Sequence, residues 1–166
     1  EPNTFGTHEF VELCRLLNAE PYICQNGLAD VQEMANWVEY SNATEGKFAE
    51  MRKKNGYSDP LNVKIWSVGN ERSGRDYIHK VRDGGIAMKE VDPSILVSCS
   101  GTHGSSSIDP YLFEVAGEHL NYISVHQYWI ENFQEHSTPS YLSSIMLSEK
   151  PELYIKKVVN QIQTAE

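Results

Sequence analysis

Four short apolar runs, separated by segments of helical periodicity, constrain the fold of this chain more than any other feature. The runs are residues 21–25, 63–69, 95–99 and 122–126. They do not alternate strictly between polar and apolar residues, and such runs are typical of strands that are buried on both faces. Strands that alternate with helices along a chain form parallel sheets. The pattern therefore predicts an α/β fold with four parallel strands.

The segments around these runs carry apolar residues at the spacing of amphipathic helices. Asp30 precedes one of them and is expected to cap it. Gly84 and Gly85 lie inside another, where each glycine costs about 1 kcal/mol relative to alanine, so a bend or break is expected there. The predicted helices are residues 7–17, 31–40, 48–54, 76–91, 111–119 and 154–162, and residues 129–138 are predicted to form a long loop.

Two architectures surround a parallel sheet with helices. A doubly wound sheet usually carries a glycine-rich phosphate turn that opens a helix, and residues 101–104 (GTHG) lack that spacing. We therefore favour a partial (β/α)8 TIM barrel, with four of the eight strands of a complete barrel. The chain starts without methionine and stops soon after a predicted helix, so we expect residues 1–166 to be a single barrel segment that is truncated at both ends.

The charge balance excludes several classes of partner. The chain has 14 Lys and Arg against 23 Asp and Glu, a net charge of −9, whereas a nucleic-acid site needs clustered basic residues. A neutral or cationic ligand is favoured instead. No stretch approaches the roughly 18 consecutive apolar residues that a membrane span needs, so no membrane partner is expected.

The three cysteines are an odd set without Cys-x-x-Cys spacing. Cys14, Cys24 and Cys99 each lie in an apolar run, and each is predicted to be a buried free thiol. Free thiols favour a reducing compartment, so a cytoplasmic protein is expected. The histidines do not have metal-ligand spacing, and neither a metal nor a cofactor is predicted.

Catalytic groups in a TIM barrel project from the carboxyl ends of the strands. Asn70 and Glu71 directly follow the apolar run 63–69. A carboxyl group beside a buried strand is partly desolvated, which favours its protonated form and makes it a proton donor for glycoside hydrolysis. A neighbouring amide can hydrogen-bond a sugar hydroxyl. The spacing alone supports equally well a structural interpretation, in which Glu71 caps the next helix and Asn70 stabilises a turn.

Several motifs in a fixed order distinguish between these interpretations. They are residues 1–10 (EPNTFGTHEF), 19–22 (AEPY), 37–40 (WVEY), 55–57 (NGY), 64–66 (KIW), 69–71 (GNE) and 122–128 (YISVHQY). Together they resemble glycoside hydrolase family 51, the α-L-arabinofuranosidases of clan A. The resemblance extends from Glu1 to about Trp129.

This resemblance implies a retaining enzyme that removes terminal α-L-arabinofuranosyl residues from arabinose-containing glycans. It implies that Glu71 is the general acid/base and that Asn70 binds the arabinose 2-hydroxyl. His126 and Tyr128 match the family's His-x-Tyr motif, which lines the sugar subsite, although His126 could instead be a core histidine and Tyr128 a packing ring. On the family's count the four runs are strands 3 to 6 of the catalytic barrel.

The resemblance also implies a second carboxylate, the nucleophile, after the seventh strand. That position lies beyond Glu166, so the isolated chain is expected to be inactive. Glu149, Glu152 and Glu166 follow no apolar strand and are interpreted as surface charges. Two alternatives remain open: another clan A activity, such as a β-xylosidase or endoglucanase, and a non-catalytic carbohydrate-binding protein. A homo-oligomer is open for the full-length protein.

Overall fold

The fold is built on a four-stranded parallel sheet. The computed structural model describes residues 4–103, 107–129 and 138–165 of the chain. The strands are β1 (Tyr22–Cys24), β2 (Ile65–Val68), β3 (Leu96–His103) and β4 (Tyr122–His126). Each strand lies on one of the four predicted runs, and β3 continues four residues beyond its run.

The strands follow one another across the sheet in the order β1-β2-β3-β4, and every neighbouring pair is parallel. A doubly wound sheet reverses its strand order at a switch point. A sequential order, with each strand beside the next one in the chain, is the order of a TIM barrel. The four strands therefore form part of a (β/α)8 barrel, as the sequence predicts.

Seven helices accompany these strands in the described ranges. They are α1 (Thr7–Leu16), α2 (Val31–Asn42), α3 (Lys47–Lys54), α4 (Arg75–Val91), α5 (Pro110–Ala116), α6 (Thr138–Met146) and α7 (Lys150–Gln163), with 3₁₀ turns at Gly117–His119 and Leu147–Glu149. All six predicted helices are present, and Asp30 caps α2 by accepting a hydrogen bond from the Glu33 amide at 2.7 Å. The sequence did not predict α6. Most of the predicted loop 129–138 lies outside the described residues.

The core lies between the helices and one face of the sheet, which is the outer face of the barrel. Trp66, Val68 and Val97 point from that face and are completely buried. The Trp66 ring meets Trp37 of α2 edge to face, with 5.9 Å between ring centroids. This packing holds the helices against the strands and thereby holds the carboxyl ends of the strands in place.

Helix α4 continues through Gly84 and Gly85, so the expected break is absent. A Cβ atom at Gly84 would lie 3.0 Å from the Met34 sulfur, and one at Gly85 would lie 3.4 Å from the His119 Cβ atom. Gly84 therefore allows close packing of α4 against α2, whereas the distance at Gly85 is that of an ordinary contact. The packing at Gly84 offsets its low helix propensity.

The opposite face of the sheet is the inner face of the barrel, and parts of it are open. Tyr22 and Cys24 of β1 and Tyr122 of β4 are exposed on the two edge strands. The prediction that all three thiols are buried is therefore wrong for Cys24, which points away from the helices. Cys14 and Cys99 are buried. Burial raises the pKa of the Cys99 thiol to about 12.

Candidate active site

The carboxyl ends of β2 and β4 bring two of the predicted site residues into contact. His126 Nδ1 lies 3.1 Å from Glu71 Oε1. Both side chains are partly accessible, Glu71 at 31% and His126 at 24%. Residues 55 positions apart in the chain thus form one polar pair at the end of the sheet where barrel enzymes place their chemistry.

A tight turn after β2 aims the Glu71 carboxyl group. Gly69 and Glu71 both have positive φ angles, 72° and 51°. Such a conformation is costly for a residue with a side chain, about 1–3 kcal/mol, and persists where neighbours hold it. Here the Glu71 amide donates a hydrogen bond to Ser100 Oγ at 2.8 Å. Helix α4 begins four residues later with Gly74 as its N-cap, so Glu71 is not its cap.

Tyr77 of α4 ties the ends of β2 and β3 together. Its hydroxyl donates to the Val68 carbonyl at 2.5 Å and accepts from the Ser100 amide at 2.9 Å. Burial raises the pKa of the Tyr77 phenol well above its usual value, so the phenol stays neutral. Tyr77 thereby fixes Ser100, and Ser100 fixes the Glu71 backbone.

Ser124 makes the second polar contact of His126. Its Oγ atom lies 2.6 Å from His126 Nε2. The two residues are two positions apart in β4 and share the inner face of the sheet. Both ring nitrogens of His126 are therefore engaged, one by Ser124 and the other by Glu71.

The remaining two predicted residues, Asn70 and Tyr128, are close to this pair in the chain. Asn70 precedes Glu71 in the turn, and its side chain is exposed. Tyr128 lies two residues beyond β4 and is 69% exposed. The structure thus joins Glu71 to His126 directly, while Asn70 and Tyr128 are near them in the chain and open to solvent.

Ser100, Ser124 and Tyr77 support the site, and the sequence alone gave them no functional role. Serine occurs in every part of a fold, and Tyr77 lies at a helical position where an apolar core residue is expected. Ser100 could have been found as a polar residue at the carboxyl end of a predicted strand, whereas Ser124 depends on the register that makes it the aligned partner of Ser100 across β3 and β4. A β-bulge follows at Gly101, where a Cβ atom would lie 2.1 Å from the Ile123 side chain.

The loop after β1 packs beside the Glu71 turn. A Cβ atom at Gly69 would lie 3.0 Å from the Gly27 Cα atom, so the two loops approach backbone to backbone. Gln25 is buried, and its side-chain nitrogen Nε2 donates to the Met34 carbonyl at 3.2 Å.

Within residues 4–103, 107–129 and 138–165, no three His, Cys, Asp or Glu side chains converge as metal ligands. No helix in these ranges is long and apolar enough to cross a bilayer.

Residues 1–144 match the family model of the alpha-L-arabinofuranosidase 1 domain. The chain is 40% identical over 122 residues to the probable alpha-L-arabinofuranosidase C of Aspergillus niger, an alignment that covers 67% of this chain and 24% of the relative. It is 36% identical to the intracellular exo-alpha-(1->5)-L-arabinofuranosidase of Acetivibrio thermocellus, with 96% of this chain and 34% of that protein aligned. This chain therefore spans about a quarter to a third of these relatives.

The fold agrees with the sequence relationship. The crystal structure of an alpha-L-arabinofuranosidase from Thermotoga maritima, described as an arabinose complex, superposes with a TM-score of 0.77 at 31% identity. The superposition covers 99% of this chain and 36% of the Thermotoga chain. Family model, relatives and fold agree, and the chain belongs to the α-L-arabinofuranosidase 1 domain family, within glycoside hydrolase family 51.

Proposed function

We propose that this chain carries the acid/base side of the active site of a retaining α-L-arabinofuranosidase. The substrate is an oligosaccharide or polysaccharide with terminal α-L-arabinofuranosyl residues. The contact between Glu71 and His126 at the carboxyl ends of β2 and β4 is the observation that supports this proposal most. The names of the Aspergillus and Acetivibrio relatives and the arabinose in the Thermotoga structure support the substrate class.

In this proposal Glu71 first acts as an acid and then as a base. Its protonated carboxyl group donates a proton to the glycosidic oxygen as that bond breaks. The carboxylate then takes a proton from the water that releases the sugar. The carboxyl group is partly exposed, so a substrate can reach it. Asn70 binds the sugar 2-hydroxyl, and His126 and Tyr128 line the sugar subsite.

A retaining mechanism needs a nucleophilic carboxylate about 5–5.5 Å from the acid/base. Among the four described strands, only β2 is followed within three residues by Asp or Glu. Glu149 and Glu152 are exposed on helical segments, and Glu152 pairs with Lys156 at 2.5 Å. We assign the nucleophile to another strand of the same barrel, and residues 1–166 to one segment of that catalytic domain.

Substitution of Glu71 in the full-length protein tests this proposal. We expect Glu71→Gln to lower kcat on an arabino-oligosaccharide by about 10²–10⁴-fold, the usual contribution of an acid/base group. Glu90→Gln removes an exposed carboxylate of α4 and is the matched control. Glycan binding with unchanged rates in Glu71→Gln would instead support a non-catalytic carbohydrate-binding protein.

The sugar specificity needs its own measurement, because fold and acid/base position do not determine it. We expect kcat/KM of the full-length protein to be higher on an aryl α-L-arabinofuranoside than on an aryl β-D-xylopyranoside. The reverse order would assign the chain to a xylosidase.

A cytoplasmic location is proposed from the relative named intracellular and from the buried thiols of Cys14 and Cys99. Recovery of the protein from the culture medium would contradict it.

A further inference from the structure

We infer that Ser124 is a positioning residue for the acid/base step. The ionised Glu71 carboxylate selects the tautomer with the imidazole proton on Nδ1, and the Ser124 hydroxyl stabilises that tautomer by donating to His126 Nε2. The inference rests on the proposed role of Glu71 and adds a residue to it. Ser124 acts through His126 and does not itself contact the substrate.

The geometry places the three groups in one line of contacts. Ser124 Oγ lies 2.6 Å from His126 Nε2, and His126 Nδ1 lies 3.1 Å from Glu71 Oε1. Ser124 and His126 are both on the inner face of β4, so the strand itself holds the hydroxyl against the ring. Both distances are within hydrogen-bonding range.

The protonation of the ring follows from its two neighbours. A neutral imidazole has one N–H donor and one lone pair, whereas a hydroxyl can donate or accept. An ionised carboxylate only accepts, so Nδ1 must carry the proton when Glu71 is ionised. Nε2 then holds the lone pair, and Ser124 is the donor to it. The opposite tautomer would direct a lone pair at the carboxylate.

This tautomer determines which carboxyl oxygen carries the catalytic proton. With Nδ1–H donating to Oε1, that oxygen accepts a hydrogen bond whether Glu71 is ionised or neutral. The acidic proton is therefore directed to Oε2. In the other tautomer the proton would instead bind Oε1 and hydrogen-bond to Nδ1, where it is withheld from the glycosidic oxygen. Ser124 thus favours a Glu71 that can deliver its proton.

The first test reads the tautomer directly in the full-length protein. The ¹⁵N chemical shifts of histidine ring nitrogens distinguish Nδ1–H from Nε2–H and from the imidazolium. Selective histidine labelling, with His126→Gln to assign the signal, gives this measurement at neutral pH. We expect Nδ1–H in the wild-type protein. A proton on Nε2, or on both nitrogens, of the wild-type protein overturns the inference, and this measurement needs no Ser124 variant.

The second test uses leaving groups that differ in their need for a proton. A 4-nitrophenyl group leaves as a stable phenolate, whereas a sugar leaving group needs the acid. We expect Ser124→Ala to lower kcat/KM about tenfold on an arabino-oligosaccharide and less than about threefold on 4-nitrophenyl α-L-arabinofuranoside. Ser124→Thr keeps the hydroxyl and should retain kcat/KM on both substrates.

Controls separate this inference from the proposed function and from a loss of structure. Ser94→Ala removes a hydroxyl at the opposite end of the sheet and should change neither value. An equal loss on both substrates in Ser124→Ala, or no loss, overturns the positioning role. Glu71→Gln is assayed beside it. If Glu71→Gln stays active, the proposed function is wrong. If Glu71→Gln is inactive while Ser124→Ala keeps the wild-type kcat/KM on both substrates, the proposed function stands and the role of Ser124 is wrong.

Discussion

At the scale of single residues, the candidate acid/base depends on its backbone as well as on its carboxyl group. Glu71 has a φ angle of 51°, and its amide is held by Ser100 on the next strand. Ser100 is held in turn by the buried hydroxyl of Tyr77. The direction of the carboxyl group is therefore determined by residues that have no acid/base chemistry of their own.

Ser100→Ala tests this dependence. The substitution leaves the Glu71 amide without its acceptor, so we expect a loss of about 0.5–1.5 kcal/mol in stability. We also expect kcat/KM of the full-length protein to fall, because the turn can then adopt conformations that move the carboxyl group. Thermal melting and kinetics measure the two effects. A variant with wild-type kinetics would show that Ser100 does not position Glu71.

The Glu71 and His126 pair was predictable from the sequence, but the residues that hold it were not. Strand ends in a barrel converge on one face, which made both residues candidates, and the resemblance to family 51 distinguished them from the other polar residues there. The roles of Ser100 and Ser124 were not predictable, because their partners depend on the register of β3 and β4. No local pattern in the sequence encodes that register.

At the scale of elements, helix ends and strands were predictable where polar caps and apolar runs coincide. Asp30 caps α2 as predicted. Helix α6 was missed because Ser143 and Ser144 have low helix propensity and its apolar residues, Leu142 and Ile145 among them, are exposed in the structure. A helix without a buried stripe gives only a weak periodic signal.

The bulge at Gly101 sets the alignment of β3 against β4. The substitution Gly101→Ala, which adds one methyl group, tests whether the bulge needs glycine. A Cβ atom there would lie 2.1 Å from the Ile123 side chain. We expect Gly101→Ala to destabilise the protein by about 1–3 kcal/mol, the usual cost of overpacking. It should also lower activity, since β4 carries His126.

Gly85→Ala is the matched control for that change, because the added Cβ atom meets His119 at an ordinary distance of 3.4 Å. Alanine at a helical position should leave stability unchanged or raise it by up to about 1 kcal/mol. Differential scanning fluorimetry of the full-length variants compares the two. If Gly101→Ala and Gly85→Ala had the same melting temperature, the bulge would not restrict the side chain at position 101.

At the scale of the whole molecule, the chain is a barrel segment with its inner face open at the edges. Tyr22, Cys24 and Tyr122 are exposed there, on strands β1 and β4. Unpaired strand edges with exposed apolar groups favour aggregation. We therefore expect the 166-residue chain to fold poorly alone, whereas a sharp cooperative melt of a monomer would contradict this.

The reactivity of Cys24 tests whether the rest of a barrel covers this face. In the isolated chain Cys24 is exposed, and Cys99 is buried with a pKa of about 12. We expect iodoacetamide at pH 8 to modify Cys24 in the full-length protein as slowly as Cys99, as followed by mass spectrometry. Rapid modification of Cys24 beside slow modification of Cys99 would argue against a barrel that closes over Cys24.

Azide rescue of Glu71→Ala in the full-length protein tests most directly whether Glu71 is the acid/base of a retaining arabinofuranosidase. Azide needs no base to attack a glycosyl-enzyme intermediate. We predict that azide accelerates turnover of 4-nitrophenyl α-L-arabinofuranoside and that NMR identifies α-L-arabinofuranosyl azide as the product. No acceleration, or an azide product of inverted configuration, would contradict it.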